Sequence, residues 1–213
     1  MSSEESRHYF LICMDSVVYK YDLVTKQLLF QFKTVAHNAM IMYDKDDKLL
    51  CASDKMIRLW DFWDQKEQSP ELITTCESVL TIEKIFINKN SKSQKGDDLL
   101  VLVVNQDEYA LYRGRMDLVR KGNTSMHENQ RILCAEFAGD NSCFWVGTDR
   151  GLLICFSVES GEEIGTAYNV SPEIEKPITS MRKFNGIDSD NIFLLVLGKK
   201  EAVVYSQQRK DAK

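Results

Sequence analysis

The chain is 213 residues long, with 27 Lys and Arg against 32 Asp and Glu, a formal net charge of −5 with its three histidines neutral. At 44% hydrophobic and 28% charged residues it has the makeup of a globular chain, which excludes a collagen-like or largely disordered one. Its longest apolar runs, 99–104 and 192–197, are six residues each, where a membrane-spanning helix needs roughly 20.

Residues 1–7 are a polar N-terminal tail with no basic segment leading into an apolar one, so nothing reads as a secretory signal and the expected location is intracellular and cytoplasmic. Cytoskeletal, ciliary and nuclear assemblies stay open. From residue 8 onward, apolar residues recur with period two or in runs of four to six, and polar turn clusters such as 44–47 and 139–142 separate them. This pattern predicts an all-β chain. No stretch of twelve residues sustains a helical apolar stripe, so helix should be scarce. The predicted strands fall into five groups. The first, within 8–33, holds 8–14, 17–23 and 27–33; the second, within 37–76, holds 39–43, 48–52, 56–60 and 71–76. The third, within 79–121, holds 79–87, 99–104, 108–112 and 116–121, with a Lys-, Ser- and Asn-rich insertion at 88–98 that reads as a surface loop. The fourth, 131–168, holds 131–137, 143–147, 152–157 and 163–168; the fifth, 178–206, holds 178–184, 191–197 and 202–207, before a polar tail at 207–213.

One kind of segment recurs, a turn aspartate or lysine followed by an apolar strand that ends in an aromatic residue. It appears at 15–22, 54–61, 107–112, 149–156 and 199–205, and the aromatics Tyr21, Trp60, Tyr112, Phe156 and Tyr205 stand 39, 52, 44 and 49 residues apart. Such intervals suit one four-stranded propeller blade per copy, about 40 to 50 residues each. The second copy, Ala52-Ser53-Asp54-Lys55-Met56-Ile57-Arg58-Leu59-Trp60-Asp61, is close to the Ser-x-Asp-x-x-Ile-Arg-Leu-Trp-Asp signature of one well-known repeat. Gly147-Thr148-Asp149 through Phe156, followed by Ser160-Gly161-Glu162, is a weaker match, and Phe137-Ala138-Gly139-Asp140 is similar to the Phe-Ser-Pro-Asp turn of the same repeat. On these residues the chain resembles the WD-repeat β-propeller family over 8–206, in divergent form: one copy ends in Trp-Asp and the Gly-His dipeptide is nowhere intact. The resemblance implies an all-β propeller of four-stranded antiparallel blades, about four to five of them. It also implies a hydrogen-bonding network in which His37 joins Asp54 and Trp60, and His127 joins Asp149 and the aromatic Phe156. Eighteen predicted strands, three in each end group, suggest an incomplete or open ring. Its end strands would then offer unpaired N–H and C=O groups, which a second chain can cover by strand addition.

Little in the chain points to chemistry. Cys13, Cys51, Cys76, Cys134, Cys143 and Cys155 form no C-x-x-C pair and sit mostly in apolar runs, as small buried hydrophobes. His8, His37 and His127 stand at or before strands, away from any nucleophile motif, and no phosphate-binding glycine loop is present. Asp44-x-Asp46-Asp47 lacks the turn glycine and distal glutamate of a calcium loop. Asp97-Asp98 and Glu162-Glu163 are neighbours in sequence whose side chains should diverge. We therefore expect no catalytic residues, no metal and no cofactor.

Charge carries more. Connections that emerge on one face of a blade would bring Lys89, Lys92 and Lys95 beside Arg113 and Arg115, with Asp44, Asp46, Asp47, Asp61, Asp64 and Glu67 on the neighbouring blade. This gives either a bipolar face for a protein partner or an ordinary solvated rim. The aromatic pair Phe62-Trp63 either anchors a partner or tucks over the blade edge. The expected function is a non-catalytic protein-interaction scaffold, one subunit of a larger assembly, with a second copy of the chain among its possible partners and no membrane partner. The alternative is an accessory subunit that binds RNA, or supports an RNA-modifying enzyme, through the basic loops of the third blade. The net acidity argues against a broad nucleic-acid surface.

Overall fold

The structure is a computed structural model that describes residues 9–14, 16–34, 39–43, 48–61, 70–88, 99–170, 177–185, 191–198 and 202–208. These form an all-β chain whose strands pair into small antiparallel sheets, with one 3-10 turn, Ser125–His127. No helix among the described residues is long and apolar enough to cross a membrane. The chain divides into two compact units, Met1–Glu77 and Ser78–Lys213.

The first unit holds two sheets. One is β1 (Tyr9–Met14), β2 (Val17–Asp22) and β3 (Leu28–Lys33); the other is β4 (Ala39–Tyr43), β5 (Lys48–Ser53), β6 (Met56–Asp61) and β7 (Glu71–Glu77), each running in chain order. The turn after β2 is built by Asp22, whose carboxylate accepts the Val24 and Thr25 N–H groups at 2.8 and 2.6 Å, while Lys26 takes the left-handed conformation. Between β5 and β6 only Asp54 and Lys55 intervene. Asp54 adopts φ 48° there, a conformation that aspartate tolerates better than most residues. The core of this unit joins Val18 and Phe32 of the first sheet to Leu49, Cys51 and Trp60 of the second, with the Phe32 and Trp60 rings 5.0 Å apart.

The second unit holds three sheets. The first is β8 (Lys84–Ile87), β9 (Leu100–Asn105), β10 (Glu108–Arg113) and β11 (Asp117–Asn123); the second is β12 (Ile132–Phe137), β13 (Cys143–Thr148), β14 (Leu152–Ser157) and β15 (Tyr168–Asn169); the third is β16 (Ile178–Asn185), β17 (Asn191–Gly198) and β18 (Ala202–Gln208). Leu102, Tyr109 and Leu111 of the first sheet meet Phe137, Phe144 and Phe156 of the second in one core. A further cluster joins Cys134 and Leu153 to Ile178, Met181 and Val196 of the third. The run at β9 is continuous rather than alternating because Leu100 to Val104 are buried on both faces of the strand.

The strand groups expected from the sequence are the observed sheets, three strands in the first and last and four in the others. Most strands shift a boundary by one or two residues, and two strands differ by more. The expected strand at 79–87 begins only at Lys84, because hydroxyl groups take the preceding backbone: Val79 N–H donates to Tyr112 Oη at 2.9 Å and Leu80 N–H to Ser78 Oγ at 3.2 Å. The expected strand at 163–168 shrinks to Tyr168–Asn169, with one isolated bridge between Phe156 and Glu163. Gly161 and Gly165, at φ 74° and 77°, turn this segment out of the sheet.

Candidate interaction site

On the second unit a cleft of about 380 Å³ opens between β10 and β11, the 3-10 turn and the connection that follows β14. Its floor is aromatic. Tyr109 and Phe156 lie with ring centroids 5.0 Å apart. Strand register sets Tyr109 directly opposite Gly122, and the absence of a side chain there gives its ring room to lie across the strand: a β-carbon on Gly122 would stand 2.4 Å from Tyr109 Oη. The phenol then donates to the carbonyl of Gly161 at 2.9 Å. Burial pushes the Tyr109 phenol up to about 12, so it stays a neutral donor across the physiological range.

The far wall of the cleft is the segment 157–163, held in a loop by its own backbone. Ser157 N–H donates to Glu162 O at 2.8 Å and Gly161 N–H to Ser157 O at 2.9 Å. Arg120 of β11 reaches across with its Nε on Glu159 O at 2.7 Å, its aliphatic stem passing over Gly161. The near wall is the 3-10 turn, where His127 Nε2 lies 2.7 Å from Glu163 Oε2, both side chains about four-fifths buried. At the rim Met126 is 88% exposed, and Glu162 turns its carboxylate to solvent. The cleft therefore offers an aromatic floor, a carboxylate at its mouth and an exposed thioether side chain at its edge.

The first sheet of the first unit offers a second surface. Its outer strands expose apolar side chains: Ile12 and Met14 on β1, Leu28 and Leu29 on β3 at 47% and 46%. An outer strand with exposed apolar groups is a template for pairing with another chain.

The residues singled out from sequence are placed as follows. His127 lines the cleft with Phe156, but its partner is Glu163; Asp149 instead accepts the Arg131 N–H at 3.1 Å, at the turn after β13. Asp54 is an exposed turn residue, and Trp60 Nε1 has no hydrogen-bond partner among the described residues. Arg113 and Arg115 are exposed at the turn between β10 and β11. His37, Asp44, Asp46, Asp47, Phe62, Trp63, Lys89, Lys92 and Lys95 lie outside the described residues. Glu162 and Glu163 diverge as neighbours on a chain should, one to solvent and one to His127.

Two features escaped the sequence reading. The Tyr109–Gly122 pair announces itself only as a glycine inside a strand pattern, a mark of close approach. The other is a buried polar node: Thr148 Oγ1 donates to Gln130 Oε1 at 2.7 Å and accepts Leu152 N–H at 3.0 Å, while Thr124 Oγ1 donates to Gln130 O at 2.6 Å. It lies beside Asp149 and ties the segment after β11 to the β13–β14 turn. No protein-family model and no curated protein sequence matches the chain.

Proposed function

We propose that this chain is a non-catalytic protein-interaction scaffold, built from WD-like propeller blades and working as a subunit of a larger assembly. Five small antiparallel sheets, each a meander in chain order, support reading each sheet as a blade. The observation that carries the function is the first sheet, whose two outer strands both present exposed apolar residues, Ile12 and Met14 on one and Leu28 and Leu29 on the other. The scaffold holds these strands rigid and offers their edge groups to a partner strand, with alternate side chains setting specificity. The cleft at Tyr109 and Glu162 adds a pocket for a single side chain of a partner.

Light scattering after size exclusion tests this. The chain at increasing concentration should show a mass above its 24.6 kDa, and the double variant Leu28→Lys, Leu29→Glu should return it to the monomer, since charge on an edge strand blocks pairing. Both forms monomeric at every concentration would overturn the edge-strand reading. A second reading, an accessory RNA-binding subunit, draws on Arg113 and Arg115, both exposed on one turn. It predicts salt-dependent binding of a single-stranded RNA that Arg113→Glu with Arg115→Glu abolishes, and no binding at low salt removes it.

A further inference from the structure

Cys143 and Cys155 stand on adjacent antiparallel strands, with Cys143 registered against Ser157 and Trp145 against Cys155. Residues two apart along a strand share a face, so both cysteines and Trp145 project from the same side of the sheet as diagonal neighbours. Their thiols hydrogen-bond to each other. The pair is buried, 3% and 5% exposed, yet it belongs to neither large core of its unit: it forms a small cluster with Ala138, against which Trp145 packs. That cluster lies beneath the surface turn 138–142, closed by Ala138 N–H on Cys143 O at 2.9 Å and by the Asp140 carboxylate on the Ser142 N–H and hydroxyl.

We propose that Cys143 and Cys155 form a reversible oxidation site, closed to an intrachain disulfide by a peroxide. The contact divides the roles. The hydrogen bond from Cys155 draws the Cys143 thiol below its ordinary range against the opposing effect of burial, and the same bond pushes Cys155 up. Cys143 is the attacking thiolate. Its sulfur takes one oxygen of hydrogen peroxide, the S–O bond forming as the O–O bond breaks, and the departing hydroxide takes up the thiol's proton to leave as water. The product is a sulfenic acid on Cys143. Cys155 sulfur then attacks the Cys143 sulfur; the S–S bond forms, the S–O bond breaks, and the hydroxide leaves with the Cys155 proton as a second water. Two thiols lose two electrons and one peroxide becomes two waters.

The other cysteines with described side chains, Cys51, Cys76 and Cys134, differ in setting: Cys51 is fully buried in the core of the first unit. Cys134 donates to Ile178 O at 3.3 Å and burial pushes it up to about 12, a thiol held protonated. Cys76 is half-buried on the outer strand β7, with its thiol on Glu77 O at 3.5 Å, so it competes by access rather than by activation.

The test uses the full chain treated with hydrogen peroxide, alkylated and mapped by peptide mass spectrometry. Expected is a Cys143–Cys155 link, with two alkylatable thiols lost per chain and restored by dithiothreitol. In Cys155→Ala a dimedone-reactive sulfenic acid should accumulate on Cys143 at least tenfold over the parent chain. In Cys143→Ala, Cys155 should stay fully alkylatable. The map of the unsubstituted chain decides the matter even if a variant fails to fold. Oxidation of Cys76 or Cys134 while Cys143 and Cys155 alkylate undiminished would overturn the proposal, as would a sulfenic acid on Cys143 that Cys155 does not resolve.

Discussion

Tyr109 and Gly122 face each other across β10 and β11, and the ring of one occupies the space that the other lacks a side chain to fill. A methyl group on Gly122 would stand 2.4 Å from the Tyr109 hydroxyl oxygen and 2.5 and 2.8 Å from two atoms of the ring. The phenol would have to swing away from Gly161 O, and the aromatic floor of the cleft would go with it. Gly122→Ala should therefore destabilise the chain by about 1 to 3 kcal/mol, the usual range for overpacking. The check is a chemical denaturation curve, paired with Gly122→Ala in a Tyr109→Phe background. If the clash is the cause, the smaller ring without its hydroxyl recovers part of the loss.

The same phenol makes alkaline pH informative. An ordinary tyrosine ionises near 10, whereas the folded chain holds Tyr109 protonated up to about 12 because burial penalises the phenolate. A folded-state value raised above the unfolded one contributes stability that is complete below pH 10 and is lost as pH rises through about 12. Denaturation midpoints should therefore fall over that window. Among the eight tyrosines, absorbance near 295 nm should show one that ionises late, and Tyr109→Phe should remove both effects.

The node at Thr148 tests the link between the strand meander and its polar core. Thr148 is fully buried and Gln130 nearly so. Thr148→Val keeps the shape and deletes the hydroxyl, which leaves Gln130 Oε1 and the Leu152 N–H without their partner. A buried polar group stripped of its bond costs about 1 to 3 kcal/mol, and the measured loss should fall there. Thr148→Ser, which restores the hydroxyl, should recover most of it.

Period-two alternation and polar turn clusters carried the strand order because each strand's environment is written locally: Val18 inward against Tyr19 outward on β2 is one example. Where backbone groups bond to side chains far along the chain, local pattern fails. Val79 to Glu83 looks apolar enough for a strand, but the Tyr112 hydroxyl, 33 residues on, captures the Val79 N–H. Segment 163–168 alternates well enough, and two glycines at positive φ lift it out. The cleft was illegible for the same reason. Tyr109 meets Gly161 across 52 residues and His127 meets Glu163 across 36, distances set by how two sheets pack rather than by spacing along either. His127 did emerge from the resemblance to the WD-repeat family, although the carboxylate it meets is not Asp149.

That His127–Glu163 contact clamps the cleft from both sides. One partner sits on the 3-10 turn after β11 and the other on the loop after β14, and both side chains are about four-fifths buried. A hydrogen bond to a charged group in such a site contributes about 1.5 to 3 kcal/mol. His127→Ala should release the loop without melting the core, because Phe156 and Tyr109 keep their contacts with Phe144 beneath it. Amide hydrogen exchange separates the two effects. The Ile164 N–H, bonded to Cys155 O at 2.8 Å, should lose protection by tenfold or more, while amides of β9 keep theirs. Glu163→Gln retains an oxygen to accept the imidazole N–H and should fall between the parent chain and His127→Ala. Equal loss of protection in β9 would mean that the contact supports the whole unit rather than the loop, and that the cleft has no independent wall to open.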